Sequence, residues 1–493
     1  MKKFYITTPI YYVNDKPHIG HLYTNIVTDV IARFKRLDGY NVLFSTGTDE
    51  HGQKVEQAAK KKNTLSQNFV NNISKKFINF SNDFNISNNI FIRTSDKKHK
   101  NFVKNFWFDL IKRKQIYRGK YKGWYSIRDE SYIHDHEIIH NKTTHYSDIE
   151  WLEENCYFFK LSNWRDKLLK FYKKNPYFIK PEKRKNEVVS LIKSGLKDLC
   201  ISRSSFRWGI NVPKHEKHIL YVWFEALLNY LSLIEKNNIT WPVNLHIIGK
   251  DILKFHAIYW PAILMASKLK LPKAIFAHGW WLKNGKKISK STGNIIDPYE
   301  IKNSYSSDYC RYYFIKEINF GNDGNFSNCS FINRINYEFV NKVGNLIYRF
   351  STLIANKYRS LIPKPIQFEE QDKLLLIRCY AITDIIRGLI DKYELKKALD
   401  LIIDLTTLAN IFINNNKPWQ NNNLTRIKNS LYVISEVTRV ISILLQPFTP
   451  ELATQVLDYF CITKRNFNVI NTQHSIKTEK KIKKPEIFFK KIL

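Results

Sequence analysis

The chain has 493 residues, room for roughly two to four domains with their own cores. Lys+Arg number 79 against 44 Asp+Glu, and the formal charge of +35 points to a polyanionic partner, because each cationic side chain that meets a phosphate releases counterions. Part of this excess belongs to a general richness in Lys, Asn and Ile, and the six scattered cysteines, with no CxxC pair, argue against a disulfide framework or a cysteine zinc knuckle and for a reducing compartment. No run approaches about 18 apolar residues, and Met1-Lys2-Lys3-Phe4-Tyr5 passes straight into a strand-like segment, so a cytoplasmic chain without leader or membrane span is expected.

In chain order, Phe4-Tyr5-Ile6-Thr7 reads as a strand, Asn14-Asp15-Lys16-Pro17 as a turn, and Leu22, Ile26, Val30 and Phe34 fall at helical spacing. A second strand over Asn41 to Thr46 ends in Gly47-Thr48-Asp49-Glu50-His51-Gly52. Alternation of this kind over residues 1–115 predicts an α/β fold, a Rossmann-like doubly wound parallel sheet with ligands beyond the carboxyl ends of its strands. Residues 116–212 shift to aromatics, Lys and short mixed segments, the pattern of an inserted module. Strand character resumes at Leu245-His246-Ile247-Ile248, ending in Gly249-Lys250-Asp251 before a helix around Phe255, so residues 213–275 complete the sheet. Residues 276–330 carry the turn Asn284-Gly285 and the string Lys287-Ile288-Ser289-Lys290-Ser291. From 331 to 493 the spacing of Phe339, Val343, Leu346 and Phe350, then Leu401, Leu405, Leu408 and Phe412, then Leu431, Ile434, Val437, Ile441 and Leu444 predicts an α-helical bundle.

Two strings suit anion chemistry. His18-Ile19-Gly20-His21 stands where a strand feeds a helix N-terminus, which offers unpaired N–H groups and partial positive charge; Gly20 admits a phosphate to the backbone and the histidines add directional donors. Lys287 and Lys290 are point charges on long stems, suited to charge growing on a departing pyrophosphate. An HxxH tetrapeptide or a basic loop alone is commonplace; their order and settings give the pair its weight.

Ile6-Thr7-Thr8-Pro9-Ile10-Tyr11-Tyr12-Val13-Asn14 with His18 to His21, then Gly47 to Gly52, YVWFEALLNY at Tyr221 to Tyr230, IIGKDILKFHAIYWPA at Ile247 to Ala262 and the lysine loop stand in the order found in methionyl-tRNA synthetases, a class I aminoacyl-tRNA synthetase family that the chain resembles over nearly its whole length. The resemblance implies activation of L-methionine by ATP with Mg²⁺, then transfer to the 3′-terminal adenosine of tRNA(Met). It implies a catalytic domain in two halves around a connective insertion, a lysine-loop and stem-contact region, and a helical anticodon-binding domain. By position it implies catalytic His18, His21, Lys287 and Lys290; further ATP contacts at Gly20, Gly249, Asp251, His278, Gly279 and Ser289; a methionine pocket with Ile10 and Tyr230 at the sulfur, Asp49 at the ammonium, and Ala226, Leu227 and Ile252 lining it; and anticodon contacts at Asn345, Arg349 and Trp419.

Part of this stands on the residues alone. A flexible, polarizable thioether calls for an aromatic pocket with one or two polar anchors, which Tyr12, Trp223, Tyr230, His256 and Trp260 supply; apart from the motifs, such a stripe is more often plain core. Asp251 reads as a ribose contact or an ordinary helix N-cap. Glu338, Asn341, Lys342, Asn345 and Arg349 share a polar helix face, able to read splayed bases or simply to be solvated.

There are departures from the family pattern. Gly123 to Glu130 lacks the cysteines of zinc-bearing relatives, and His134, His136 and His140 lie in a polar loop, so no zinc is expected. Ile288 replaces the usual Met, and Glu225 stands where Asp is commoner; neither is expected to touch the chemistry. No appended OB-fold follows the bundle, so a monomer is expected, with Lys477 to Leu493 as a solvated basic end.

Overall fold

The run Tyr5-Ile6-Thr7-Thr8 is buried on both faces, which only a central strand of a covered parallel sheet requires. In the computed structural model, which describes residues 2–127, 130–133, 149–234, 241–283, 285–287, 296–483 and 488–492, that run lies in β1 (Lys3–Tyr12). The chain forms two compact units, one of Lys3–Pro17 and Leu43–His278 and the other including His18–Val42 and Gly279–Leu493.

The first unit holds, in chain order, β2 (Asn41–Asp49), β3 (Ile90–Arg93), β4 (Ile116–Ser126), β5 (Ser131–Ile133), β6 (Ile149–Phe159), β7 (Ile179–Lys180), β8 (Leu199–Cys200), β9 (Ser202–Arg203), β10 (Asn211–Val212), β11 (His215–Leu220), β12 (Leu245–Gly249) and β13 (Ile275–His278). With β1, five of them form the six-stranded main sheet in the order β3-β2-β1-β12-β13-β7. The order runs outward one way from β1 and the other way from β12, so the switch point lies between these two strands, where an open α/β sheet leaves a crevice for ligands. Gly47 is required by its register against Ile92: a Cβ there would overlap the Ile92 carbonyl.

The connective region forms a four-stranded antiparallel sheet, β5-β4-β6-β8, in which Ile116 to Ser126 pair in unbroken register with Phe159 to Ile149. The segment 116–212 is not one separate module, however. β7 pairs with β13, and the helices Arg165–Lys174 and Glu182–Lys193 flank that edge strand, so the chain returns to the main sheet within it. A two-residue strand carries too little alternation to be read from sequence. The helix expected around Phe255 begins with a π-helical turn, Phe255–Tyr259, before regular winding over Trp260–Ala266.

In the second unit, the helix Ile19–Leu37 pairs Asp29 with Arg311 of the helix Ser307–Glu317 at 2.7 Å, both side chains fully buried. Arg311 also donates to the carbonyls of Phe448 (3.0 Å) and Pro447 (2.8 Å). The bundle comprises Arg334–Gly344 (π-helical), Asn345–Tyr358, Glu370–Asp391, Leu395–Asn416, Leu424–Leu445 and Pro450–Tyr459. Its basic end is not a solvated tail. Ile482, Phe489 and Ile492 are buried, Asn336 exchanges two 2.8 Å hydrogen bonds with the Ile492 backbone, and Phe489 packs edge-on against Phe339 at 5.1 Å. Lysine content concealed this spaced apolar set, and Gly344 makes room for it, since a Cβ would press on the Phe489 side chain. Among the described residues, no helix is long and apolar enough to cross a membrane.

The Asp308 carboxylate, buried in this unit, accepts from the Leu452 N–H at 2.7 Å. Burial outweighs that bond and the nearby Arg311, raising its pKa from 3.8 to about 7. Between those values the folded chain holds a proton that the unfolded chain has released, so this group lowers stability as pH rises through the window. Thermal unfolding followed by circular dichroism should show Asp308→Asn gaining on the parent protein as pH goes from 5 to 7; a gap independent of pH would contradict the assignment.

Candidate active site and nucleic-acid interface

The first unit places Ile10 and Tyr12 at the end of β1, Asp49 at the end of β2, Gly249 at the end of β12 and His278 at the end of β13, all carboxyl ends. Gly249 and His278 are register partners, and the Asp251 side chain folds back so closely over Gly249 that a Cβ there would overlap its carboxylate. Gly249 itself, without a side-chain hydrogen bond, starts the short 3₁₀ turn Lys250–Ile252, so Asp251 is not the N-cap of that turn.

Next to these ends the aromatic stripe folds into one cluster. Tyr230, Leu227 and Trp260 lie in the core, with Tyr12, Trp223 and Ile252 packed against it. The Tyr230 hydroxyl and His256 Nε2 are 2.8 Å apart, and His256 Nδ1 donates to the Ile252 carbonyl at 3.0 Å. With its proton on Nδ1, neutral His256 presents Nε2 as the acceptor for Tyr230. Burial lowers the His256 pKa to about 4, against the Ile252 carbonyl bond and Asp251, so the ring is neutral at physiological pH. Trp223 stacks on Phe255 at 3.8 Å, and Ala226, at 2% exposure, accepts at its carbonyl from the Asn229 side chain.

Asp49 is the polar centre of this end of the sheet. It is 6% exposed, and its Oδ1 accepts no hydrogen bond from any described residue. Burial, then the charges of Glu225, Glu130 and Glu50, hold its pKa well above the usual carboxylate range, against the single backbone N–H of His51. A cation arriving at Oδ1 would relieve both the lost solvation and the repulsion.

The neighbouring carboxylates already have partners. Glu50 accepts from Arg93 Nε (2.7 Å) and Nη2 (2.9 Å). Glu225 bridges His51 Nδ1 and His99 Nε2, each at 2.9 Å, and these bonds outweigh burial to hold its pKa below the usual value. Sequence reasoning missed His51, His99, Glu130 and the task of Glu225, although His51 and Glu225 stood within quoted strings; their partners lie 174 and 126 positions apart, with no local pattern to read.

In the second unit His18 caps the helix Ile19–Leu37: its Nδ1 accepts from the Gly20 N–H at 3.0 Å, and His21 Nδ1 accepts from the His18 N–H at 3.1 Å. Both imidazoles therefore carry their proton on Nε2, and they stack at 3.7 Å. Burial and the adjacent His18 keep His21 well below the usual histidine pKa. Gly279 lies so close to the Asn322 backbone that a Cβ would overlap it. In β14 (Trp281–Lys283) and β15 (Lys286–Lys287), Lys287 pairs through its backbone with Leu282. Asn284, Ile288, Ser289, Lys290 and Ser291 lie outside the described residues, as do His134, His136 and His140.

The anticodon candidates form a group. Arg349 lies 5.1 Å over the Trp419 ring and donates to Asn414 Oδ1 at 2.9 Å, while Asn345 is exposed one turn earlier. Lys357 donates to the Pro418 carbonyl at 2.9 Å and so fixes the backbone beside the indole.

A twofold-wound parallel sheet followed by a helical bundle, with a histidine-capped helix after the first strand, defines a class I aminoacyl-tRNA synthetase. The family model for class I tRNA synthetases of the M type matches residues 4–141 and 136–351, and that for the anticodon-binding domain of tRNA ligases matches 372–490. Curated methionine–tRNA ligases of Rickettsia felis and Rickettsia prowazekii are 45% and 46% identical, covering 99% of this chain and 98% and 99% of theirs. A solved Mycobacterium tuberculosis methionyl-tRNA synthetase in complex with methionyl-adenylate superposes with a TM-score of 0.95 at 39% identity, covering 99% of this chain and 100% of that one. The chain belongs to the methionyl-tRNA synthetase family.

Removing the acceptor of buried hydrogen bonds costs about 1–3 kcal/mol for each donor left unsatisfied. Glu225→Ala, which strands His51 and His99, should lower the urea midpoint by a corresponding amount, read by tryptophan fluorescence; a midpoint like the parent's would show that the network does not hold the unit together.

Proposed function

We propose that the chain activates L-methionine with ATP and esterifies the 3′-terminal adenosine of tRNA(Met). The observation that carries the choice of amino acid is the unpartnered, buried Oδ1 of Asp49, whose charge is felt by Tyr12, a ring that packs against the core holding Tyr230 and Trp260: a carboxylate for an ammonium group and aromatic walls for a thioether. Ile10, Tyr12, Trp223, Ala226, Leu227 and Ile252 complete that pocket in this reading.

A methionine carboxylate oxygen attacks the α-phosphorus of ATP in line; the new O–P bond forms as the bond to pyrophosphate breaks. His18 and His21 donate from Nε2, Gly20 leaves the backbone open, and Lys287 and Lys290, with Ser289, balance the charge on pyrophosphate. Asp251 takes the ribose, with Gly249, His278 and Gly279 at the nucleoside. No protein nucleophile is needed, and the rate comes from positioning and charge. The 2′-hydroxyl of the terminal adenosine then attacks the adenylate carbonyl, forming the ester and releasing AMP and a proton.

Mg²⁺ is assigned as the counter-ion of the triphosphate, part of the substrate. Among the described residues no cluster of three His, Cys, Asp or Glu side chains is built to hold a resident metal. Asn345, Arg349 and Trp419 read the anticodon by hydrogen bonding and stacking, with Arg349 already seated on the indole. The cytoplasm is the compartment this reading assigns, in keeping with free thiols at all six cysteines. The domain reading keeps 1–115 and 213–275 as the catalytic halves, 116–212 as the connective insertion except for β7 and its flanking helices, which belong with the main sheet, 276–330 as the lysine-loop region and 331–493 as the anticodon-binding domain.

Methionine-dependent ATP–pyrophosphate exchange tests the first step. Exchange that is absent with methionine, or stronger with leucine or cysteine, would overturn the assignment. His21→Ala should abolish exchange and spare tRNA binding, whereas Trp419→Ala should spare exchange and weaken charging of tRNA(Met) by about tenfold or more, the scale of one lost stacking contact; the reverse pattern would refute the division of labour.

A further inference from the structure

Glu130 sits in the turn after β4, 118 positions from Tyr12, yet it accepts from the Tyr12 hydroxyl at 2.8 Å. The same carboxylate accepts from the Lys54 backbone N–H at 3.0 Å and from the Tyr125 hydroxyl, and the Glu130 carbonyl accepts from the Tyr221 hydroxyl at 2.7 Å. One residue thus fixes three tyrosines from three separate segments. Tyr125 is held in turn by Arg203, whose guanidinium lies 4.1 Å over its ring and donates to Glu154 at 2.7 Å.

Two backbone features show that the contact is specified. Glu130 adopts a φ of 47°, a left-handed conformation disfavoured for a residue with a Cβ, so its surroundings hold it there. Gly52, with φ 113°, lies where a Cβ would overlap both the Tyr12 hydroxyl and the Glu130 carboxylate. Glu130 is 3% exposed, leaving it no solvent partner to exchange for Tyr12.

We propose that Glu130, carried by the connective sheet, is a positioning residue for amino-acid activation, clamping the Tyr12 phenol in the orientation the methionine pocket requires. This rests on the assignment of Tyr12 to that pocket. The connective sheet then contributes to amino-acid binding through the Glu130–Tyr12 hydrogen bond and touches no reacting atom.

The test is methionine-dependent exchange by the full chain, with KM measured for methionine and for ATP. Glu130→Ala should raise the methionine KM by about tenfold or more, the scale of a buried charge-assisted hydrogen bond, and leave the ATP KM within about twofold. Glu130→Gln keeps an acceptor for Tyr12 and Lys54 and should recover most of that loss. In a Tyr12→Phe background, Glu130→Ala should add less than about twofold, because the hydroxyl it holds is gone. An unchanged methionine KM, equal rises in both KM values, or a full additional loss on top of Tyr12→Phe would overturn the clamp. If Tyr12→Phe leaves the methionine KM untouched while Glu130→Ala raises it, the fault lies in the placing of Tyr12 and not in the activation reading. Should Glu130→Ala not fold, Tyr125→Phe removes a single donor to the carboxylate; it should raise the methionine KM in the same direction and lose that effect in the Tyr12→Phe background, and additivity would count against the proposal.

Discussion

Four carboxyl groups, Asp49, Glu50, Glu130 and Glu225, are buried at one end of the parallel sheet, and their mutual repulsion is the constraint around which the first unit is arranged. Each ionised carboxyl lifted from water costs several kcal/mol unless it is paired. Three pairings are internal: Arg93 for Glu50, two histidines for Glu225, three hydrogen-bond donors for Glu130. The fourth, at Asp49 Oδ1, is not, and a positive charge placed there would relieve the repulsion.

The same arrangement explains why ring systems crowd this end of the sheet. Aromatic hydroxyls supply donors without adding further charge, so Tyr12, Tyr125 and Tyr221 satisfy Glu130 while their rings extend the core. Tyr230 and His256 pair in the same neutral manner. The result is a region low in dielectric, in which a cation meeting the unpartnered Asp49 Oδ1 would be little screened by solvent.

What could be read from the sequence was local. The strand over Phe4 to Thr7, the turn at Asn14 to Pro17 and the helix through Phe34 each carry a periodic or turn signal of their own, and the histidine string is placed by them. Arg349 and Trp419 lay on segments that sequence could phase, but their stacking was visible only after folding. Glu130 stood in a stretch read only for missing zinc ligands, and the His51–Glu225–His99 bridge joins three distant segments through side chains that look unremarkable in isolation. The basic end misled because composition outweighs spacing over so few residues: Ile482, Phe489 and Ile492 are too sparse to show a period, yet each finds a slot in the bundle. The π-helical stretches Phe255–Tyr259 and Arg334–Gly344 escaped for another reason, as one extra residue per turn leaves the apolar pattern nearly intact.

The way His18 and His21 are held decides what kind of group they offer. Each Nδ1 is occupied as an acceptor from a backbone N–H, so a proton added to either ring would break the cap that begins the helix. While the cap is kept, each ring is neutral and offers an Nε2–H donor beside the partly positive helix terminus. A polyphosphate arriving at this terminus would meet hydrogen-bond donors on the rings and no full charge, so its own charge would have to be balanced from elsewhere.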